Sequence, residues 1–265
     1  MASTKGTAVV TGASSGIGTI YADRLAARGY DLILVARSTD KLMRVADRIT
    51  TKTGRQVEVL PADLADPADL ARVEAFLKSV PDITLLVNNA GLGGALALVD
   101  SDVEQMTQLI ALNVTAPMRL TYAVVPRFIA HGKGTIINIA SVVAINPELL
   151  NGVYGGSKAF VVAFSQNLRH ELEGTGVAVQ VVLPGATKTD FWAIAGRPVE
   201  ELPSEIVMSG EDLVDAALVG LDRGEFATIP SLQNGALYDA YESARQAMAG
   251  KLSTAEPAAR YRAAA

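Results

Sequence analysis

The feature that most constrains this chain is a glycine-rich segment between an apolar run and a helical pattern near the amino terminus. The segment Thr11-Gly12-Ala13-Ser14-Ser15-Gly16-Ile17-Gly18 follows the run Ala8–Val10, and apolar residues recur after it at helical spacing. The glycines therefore fall on a strand-to-helix turn. Because glycine lets the backbone approach a ligand closely and a helix N-terminus presents free N–H groups, this turn predicts a phosphate-binding loop.

The spacing of these glycines is Gly-x-x-x-Gly-x-Gly rather than the Gly-x-Gly-x-x-Gly pattern of most dinucleotide-binding folds. Because the chain has 23 glycines in 265 residues, the motif alone is weak, and an ordinary glycine-rich turn is the alternative. The flanking strand and helix favour the phosphate loop. The residues expected to contact the phosphates are Gly12, Ser14, Ser15, Gly16, Ile17 and Gly18.

Length and composition favour one large domain over residues 1–265, because 265 residues that are 49% apolar can bury a substantial core. An Ala-rich tail over about 255–265 is expected to be flexible. The net charge is −5 with no run of Lys or Arg, which argues against a nucleic-acid partner. No stretch approaches 18 uninterrupted apolar residues and no leader-like segment begins the chain, so we expect no membrane span and a cytoplasmic location.

The residue inventory also argues against metal and thiol chemistry. The chain has no cysteine and two histidines, His131 and His170, neither of which has a carboxylate cluster at metal-ligand spacing. We therefore expect no metal site and structural roles for both histidines.

Seven short apolar runs alternate with helical patterns, which predicts an α/β fold with a doubly wound parallel sheet. The runs are Ala8–Val10, Leu32–Val35, Val57–Leu60, Leu85–Val87, Thr135–Ile139, Val177–Leu183 and Phe226–Ile229. Several of them are continuously apolar rather than alternating, which is typical of strands buried on both faces. Helices are therefore expected on both sides of the sheet.

A tyrosine and a lysine four residues apart carry the strongest chemical signal. Tyr154 and Lys158 lie in a helical pattern that runs to Arg169, and residues at i and i+4 share one helix face. A neighbouring ammonium in a partly dry cleft is expected to lower the pKa of a phenol and so make it a usable general acid. A surface contact between helix neighbours is the alternative.

These residues occur in an order and at separations that resemble the short-chain dehydrogenase/reductase family over nearly the whole chain. The resemblance is carried by residues 11–18, Asn88-Asn89-Ala90-Gly91, Asn113, Ser141, Tyr154-Gly155-Gly156-Ser157-Lys158, and Pro184-Gly185 through Thr189. It implies a Rossmann-type fold and a catalytic tetrad of Asn113, Ser141, Tyr154 and Lys158. In that family the tyrosine exchanges the proton and nicotinamide exchanges the hydride. The resemblance further implies that Ser141 holds the substrate oxygen, Lys158 binds the nicotinamide ribose and Asn113 anchors a water.

The resemblance extends to the cofactor. It implies contacts from Asn89, Ala90, Gly91, Tyr154, Lys158, Pro184, Gly185, Thr187 and Thr189. Asp63 and Leu64 are expected at the adenine, although Asp63 could instead cap the following helix. The second strand is followed by Arg37 and Ser38 rather than by an acidic residue, and a guanidinium pairs with a 2′-phosphate that a carboxylate would repel. NADP(H) is therefore the expected cofactor, with a surface role for Arg37 as the alternative.

A segment over about 186–210 corresponds to the part of the family fold that closes over the substrate. Ser141, Val143, Tyr154, Phe191 and Trp192 are the expected substrate contacts, and hydrophobic packing is the alternative for the two aromatic residues. Because the residues between Ser141 and Tyr154 are largely apolar, we expect an uncharged or apolar carbonyl compound.

The leading hypothesis is an NADP(H)-dependent oxidoreductase acting on a small-molecule carbonyl or alcohol. A non-catalytic dinucleotide-binding sensor or scaffold is the alternative, since fold does not fix function. An isomerase or dehydratase that retains its cofactor is disfavoured, because about 80 residues beyond Pro184 leave no room for a separate substrate domain. The resemblance implies a homodimer or homotetramer formed through two long helices over about 101–130 and 154–173.

Overall fold

The computed structural model describes residues 5–196 and 198–262 and contains one seven-stranded parallel sheet. The strands are β1 Thr7–Thr11, β2 Asp31–Ala36, β3 Val57–Pro61, β4 Ile83–Asn88, β5 Gly134–Ile139, β6 Val177–Val182 and β7 Ala227–Thr228. They lie in the order β3-β2-β1-β4-β5-β6-β7, so successive strands are added on one side of β1 up to β3 and on its other side from β4 onward. The predicted doubly wound α/β fold is confirmed, and each predicted run overlaps one strand.

Helices connect the strands. They are α1 Gly16–Ala27, α2 Thr39–Thr53, α3 Pro67–Ser79, α4 Val103–Ile110, α5 Ala116–Ala130, α6 Gly152–Glu171, α7 Phe191–Ile194, α8 Gly210–Asp222 and α9 Ala236–Gln246. Local sequence sets their ends: Asp66 accepts hydrogen bonds from the backbone N–H groups of Ala68 and Asp69 at the start of α3. Gly54 adopts φ +68° immediately after α2, where a left-handed residue terminates the helix.

The sheet is buried on both faces, as the continuous apolar runs predict. Leu32 and Leu34 of β2 belong to the hydrophobic cluster formed with α1, α2 and α8, whereas Ile33 and Val35 belong to the cluster formed with α3, α5 and α6. Gln180 is the polar exception in β6, and its amide Nε2 donates to the carbonyl of Ala217 and to Thr228 Oγ1. These two hydrogen bonds therefore account for the burial of a polar side chain in β6.

Residues 103–130 form one long helical stretch in which a π-helical turn, Ala111–Thr115, joins α4 to α5. Among the described residues, Val103–Ala130 is the one helix long and apolar enough to cross a membrane by length and composition. Core helices of soluble proteins pass the same test, so this observation is weak evidence for a span.

Contacts within the chain define two compact units, residues 1–231 and residues 232–265. The first contains the sheet and the helices up to α8, and the second contains α9. The single-domain assignment stays a prediction, as does the flexibility of residues 255–265, of which 263–265 lie outside the described residues. Arg197, within the expected substrate segment 186–210, also lies outside them.

Candidate active site

The predicted phosphate loop is a tight turn in which two glycines have left-handed backbone conformations. Gly12 has φ +65° and Gly16 has φ +53°, a region that side-chain-bearing residues rarely adopt. At Gly18 a Cβ would lie 2.3 Å from the carbonyl oxygen of Gly12, a separation that atoms do not tolerate. The close approach of α1 to β1 therefore explains the third glycine.

Asn89 holds this loop from the neighbouring strand. Its amide Nδ2 donates to the carbonyl of Thr11 at 2.9 Å, while Thr11 Oγ1 accepts from the backbone N–H groups of Asn89 and Ala90. The Asn89 side chain, expected to contact cofactor, is thus engaged with the loop in this structure.

The start of α1 offers free hydrogen-bond donors to an anion. Ser15 occupies the N-cap with extended backbone, φ −162°, and its side chain makes no capping bond. Within the described residues the hydroxyls of Ser14 and Ser15 have no hydrogen-bond partner. A helix N-terminus with two uncommitted hydroxyls and a backbone bared by glycine fits a diphosphate.

The end of β2 differs in detail from the sequence-based expectation. Arg37 is exposed, and the Ser38 hydroxyl accepts a hydrogen bond from the backbone N–H of Lys41 as the N-cap of α2. A cleft of about 670 Å³ opens beside the phosphate loop, and Arg37 is outside its lining as far as the described chain shows. The cleft is lined by Ser14, Ser15, Gly16, Thr19, Ile20, Asp23, Lys41, Arg44, Val45, Arg48, Lys188, Thr189, Asp190 and Glu211.

Two cations in this cleft, Lys41 and Arg44, were missed by the sequence analysis. Arg48 pairs with Asp23 at 2.8 Å, whereas neither Lys41 nor Arg44 has an ion-pair partner within the described residues. The signal that could have found them is their spacing: residues 41, 44 and 48 share one face of α2, one turn beyond Arg37.

The residues expected at the adenine occupy a turn after β3. Asp63 Oδ1 accepts a hydrogen bond from the backbone N–H of Ala65, and Leu64 is buried in the hydrophobic core. The alternative that Asp63 caps the next helix is wrong, because Asp66 holds that position.

The structure brings the four predicted catalytic residues to the carboxyl ends of β4 and β5. Ser141 follows β5, and Tyr154 and Lys158 lie one turn apart on the buried face of α6. Lys158 Nζ lies 5.8 Å from the centroid of the Tyr154 ring and donates to the carbonyl of Ile139 at 3.0 Å. The predicted shared face of Tyr154 and Lys158 is therefore present, and both side chains are buried rather than on the surface.

Asn113 lies in the π-helical turn and connects α6 to the segment that follows β4. Its Oδ1 accepts from the backbone N–H of Leu92, and its Nδ2 donates to the carbonyl of Leu92 and to Ser157 Oγ. A Cβ on Gly91 would lie 3.2 Å from Asn113 Oδ1 and 3.6 Å from Lys158 Nζ. Glycine at this position therefore keeps the space beside the tetrad open.

Burial dominates the ionisation of the Tyr154–Lys158 pair. It raises the pKa of Tyr154 to about 12, although a hydrogen bond with Ser141 acts in the opposite direction. Burial also lowers the pKa of Lys158 to about 8. The expectation that Lys158 brings the phenol toward neutrality is not met in this structure, because desolvation by burial is the largest influence on the pKa of Tyr154 and raises it.

The expected substrate residues separate into two groups. Phe191 packs on Tyr154 with 5.7 Å between ring centroids, beside the buried side chain of Val143. Trp192 is buried, and its indole N–H donates to the carbonyl of Thr187 at 3.0 Å. Phe191 therefore lies beside the tetrad, whereas Trp192 stabilises the segment between Thr187 and Trp192 through its hydrogen bond.

The remaining expected cofactor contacts follow β6. Pro184 is buried, and its carbonyl accepts hydrogen bonds from the Val142 N–H and from Ser141 Oγ. Thr187 Oγ1 donates to the carbonyl of Gly185, whereas Thr189 lies against Gly16, where an added Cβ would be 3.3 Å from Thr189 Cγ2. This segment therefore adjoins both the tetrad and the phosphate loop.

Comparison with known proteins decides the family. Residues 6–198 match the family described as short chain dehydrogenase. The chain belongs to the short-chain dehydrogenase/reductase family. This assignment confirms the resemblance inferred from the motifs and the oxidoreductase class that accompanied it.

Solved structures and curated relatives agree with this membership. A short-chain dehydrogenase from Sphingobium yanoikuyae in complex with NADPH is 48% identical, with a TM-score of 0.94 over 97% of this chain and 100% of its own. A bulky-bulky ketone specific alcohol dehydrogenase from Comamonas testosteroni is 42% identical, with a TM-score of 0.90 over 98% of this chain and 99% of its own. The very-long-chain 3-oxoacyl-CoA reductase of Anas platyrhynchos is 37% identical over 74% of this short-chain dehydrogenase/reductase, and the match spans 64% of that reductase.

Proposed function

We propose that this short-chain dehydrogenase/reductase transfers hydride between NADP(H) and a carbonyl or alcohol substrate, with Tyr154 as the general acid or base. The observation that carries the proposal is the meeting of Ser141, Tyr154 and Lys158 in one buried site at the end of the sheet that bears the phosphate loop. Ligands of open α/β sheets bind at this edge.

The tetrad residues divide the proton chemistry among them. Nicotinamide supplies or accepts the hydride when it is bound. Ser141 Oγ holds the substrate oxygen against Tyr154, whose pKa of about 12 keeps the phenol protonated and ready to donate to that oxygen. Lys158 stabilises the phenolate that remains and holds the nicotinamide ribose. Asn113 maintains the spacing between α6 and the segment at Leu92.

The preference for NADP(H) over NAD(H) rests on positive charge beyond β2. Arg37 is exposed at the strand end, and Lys41 and Arg44 line the cleft beside Ser14 and Ser15. We assign Lys41 and Arg44, together with Arg37, to the 2′-phosphate, where charge-assisted hydrogen bonds favour the phosphorylated cofactor. The relative from Sphingobium yanoikuyae, solved with NADPH, supports this choice.

Exposed apolar side chains at the same edge of the sheet support an uncharged, apolar substrate. Leu96 follows β4, Leu149 follows β5 and Ile206 follows β6, and these side chains are 46%, 58% and 56% exposed. Apolar surface at the carboxyl ends of three strands favours a bulky apolar carbonyl compound over a charged keto acid. The similarity to an alcohol dehydrogenase specific for bulky-bulky ketones points the same way.

The proposal is tested by following the absorbance of reduced nicotinamide with NADPH and separately with NADH. The panel contains aryl ketones, aldehydes, quinones, 3-oxoacyl esters and small charged keto acids. We expect turnover of apolar carbonyl compounds with NADPH and weaker turnover with NADH. Tight NADPH binding without turnover of any member would favour the non-catalytic sensor, and turnover of charged keto acids alone would contradict the substrate class.

We also propose a homodimer or homotetramer in the cytoplasm. The helical stretch 103–130 carries exposed apolar side chains, including Val103 and Tyr122, each 71% exposed, and Ile129, 45% exposed. Burial of such side chains stabilises association between copies. Light scattering is expected to give two or four times the chain mass of 27.7 kDa, and a monomer at micromolar concentration would contradict this assignment.

A further inference from the structure

Gly93 lies against the ring of Phe191 with no room for a side chain. A Cβ on Gly93 would be 2.4 Å from Phe191 Cζ and 2.9 Å from Ala195 Cβ, distances that real Cβ atoms do not show. Among the described residues, those with positive φ do not include Gly93, so its backbone conformation does not require glycine. A side chain at position 93 would therefore occupy space that the Phe191 ring fills.

Phe191 is held in place from its other sides. Its ring is tilted 49° to that of Tyr154 at 5.7 Å between centroids, and it meets the Trp192 indole edge to face at 5.8 Å. Trp192 is in turn fixed by its hydrogen bond to the carbonyl of Thr187. The ring therefore lies between Gly93 and the proposed proton donor.

The segment that carries Gly93 is fixed relative to Tyr154. The backbone N–H of Asn151 donates to the carbonyl of Gly94, and Asn151 Nδ2 donates to the carbonyl of Leu96 at 2.9 Å. Asn151 is the N-cap of α6, the helix that bears Tyr154. On the other side, the Ala95 N–H donates to the carbonyl of Ala195. Hydrogen bonds of Gly94, Ala95 and Leu96 thus hold the residues that follow Gly93 against the start of α6 and against Ala195.

We propose that Phe191, held in position by Gly93, is the apolar wall that sets how large a substituent the carbonyl carbon may carry above Tyr154. This inference rests on the proposed carbonyl reduction. Phe191 contacts the substrate, and Gly93 acts through Phe191 as a positioning residue. A side chain at Gly93 would drive the ring toward Tyr154 and narrow the pocket, whereas removal of the ring would widen it.

The test compares kcat/KM for benzophenone with kcat/KM for acetophenone at saturating NADPH. One methylene in an apolar pocket changes discrimination by roughly 10- to 200-fold. We therefore expect Gly93→Ala to lower the benzophenone-to-acetophenone ratio by about tenfold or more and Phe191→Ala to raise it by about tenfold or more. The Gly93→Ala/Phe191→Ala double variant is expected to depart from the product of the single effects, because the two residues share one contact.

A matched control and two further readouts separate this role from a structural one. Gly152→Ala adds the same methyl group where no atom other than those of its chain neighbours and its own helix backbone lies within 4 Å, so its ratio is expected to match the wild type. The Kd for NADPH is expected to stay within about twofold of the wild-type value in every variant, since none of these residues lines the phosphate loop. Trp192 is the one tryptophan of the chain, and its emission is expected to shift in Gly93→Ala as Phe191 moves.

The outcomes are distinguishable. Unchanged ratios in both single variants, or strictly multiplicative effects in the double variant, would overturn the inference while leaving the proposed function intact. Loss of folding in Gly93→Ala leaves Phe191→Ala and Phe191→Leu to decide, and an unchanged ratio in both would overturn it. A wild-type protein that oxidises NADPH with neither ketone nor any other carbonyl compound would overturn the proposed function first, and the inference with it.

Discussion

At the scale of single residues, burial determines how Tyr154 and Lys158 can work. The phenol is protonated at neutral pH because its pKa is about 12, and the ammonium has a pKa of about 8 because it lacks solvent. A protonated phenol is the form that reduction requires. The same burial makes the lysine, rather than the tyrosine, the group whose charge changes in the physiological range.

The pH dependence of reduction is expected to follow Lys158. Below pH 8 the ammonium is charged and stabilises the phenolate left by proton donation, whereas above pH 8 that charge is lost. We expect kcat/KM at saturating NADPH to be constant from pH 6 to about 8 and to fall about tenfold per pH unit above it. Constant kcat/KM up to pH 10, in protein shown to be folded by circular dichroism, would contradict this role of Lys158.

Lys158 is also expected to lower stability. Its folded-state pKa of about 8 lies below the ordinary 10.5, so the unfolded chain binds more protons between these values and stability rises with pH through this window. Lys158→Met removes the buried charge and is expected to raise the free energy of unfolding by about 1–2 kcal/mol at pH 7 while abolishing activity. Urea denaturation measures this change.

The control for that substitution is Lys52→Met, because Lys52 is exposed at the end of α2. Its effect on the free energy of unfolding is expected to stay within about 0.5 kcal/mol. The gain in Lys158→Met is expected to shrink as the pH rises from about 8 and to be smallest above 10.5, where the wild-type lysine is neutral in both states. A destabilised Lys158→Met protein at pH 7 would show that the hydrogen bond to Ile139 outweighs the cost of burying the charge.

At the scale of elements, α2 contributes positive charge beside the phosphate loop that precedes α1. Lys41 and Arg44 face the cleft beside Ser14 and Ser15, and the Ser38 hydroxyl fixes the start of α2 through its capping hydrogen bond. The strand end identified in the sequence therefore acts together with the helix that follows it.

Removal of these cations is expected to weaken NADPH binding selectively. Lys41→Gln and Arg44→Gln each lose a charge-assisted hydrogen bond to the 2′-phosphate, so the Kd for NADPH is expected to rise about tenfold while the Kd for NADH stays unchanged. Isothermal titration calorimetry at low ionic strength measures both constants. The difference between wild type and variants is expected to shrink at high salt, because salt screens exposed charges.

Arg48→Gln provides the matched control. Arg48 lines the same cleft, but its guanidinium is paired with Asp23. Its substitution is expected to change the NADPH Kd less than either of the other two. Equal weakening of NADPH and NADH by Arg44→Gln would remove that residue from the 2′-phosphate site.

The sequence predicted the strands well, because one rule, the burial of apolar residues, was enough to locate them. Apolar runs located every strand, and runs that do not alternate, such as Leu32–Val35, belong to strands covered on both faces. The edge strand β7 is two residues shorter than predicted, since Ala227 and Thr228 are the residues that pair with β6. Lys41 and Arg44 of α2 were not predicted, because the sequence does not show that this face of the helix lies beside the phosphate loop.

At the scale of the whole molecule, the sheet brings together residues that are far apart in sequence. Asn113 reaches Ser157 across 44 residues, and Asn88 Nδ2 donates to Asn138 Oδ1 across 50 residues. The sequence motifs identified the residues of this site but did not predict how deeply those residues are buried. The reversed pKa expectation has this origin, since desolvation depends on tertiary packing that helical spacing does not encode.

The substrate side was the least predictable part for the same reason. The sequence predicted that Phe191 and Trp192 both line the substrate pocket. The tertiary packing shows that their roles differ, because the Phe191 ring packs on Tyr154 whereas the Trp192 indole donates a hydrogen bond to the backbone carbonyl of Thr187. Gly93 gave no sequence signal, because its role is to leave space for a side chain nearly a hundred residues away.

The most direct test of the central claim is the rate of NADPH oxidation by an apolar aryl ketone in wild type and in Tyr154→Phe. Tyr122→Phe is the matched control, since Tyr122 is 71% exposed in α5. We predict that Tyr154→Phe lowers kcat by about 10²- to 10⁴-fold with NADPH affinity unchanged, while Tyr122→Phe matches the wild type. Turnover by Tyr154→Phe at the wild-type rate would contradict the account.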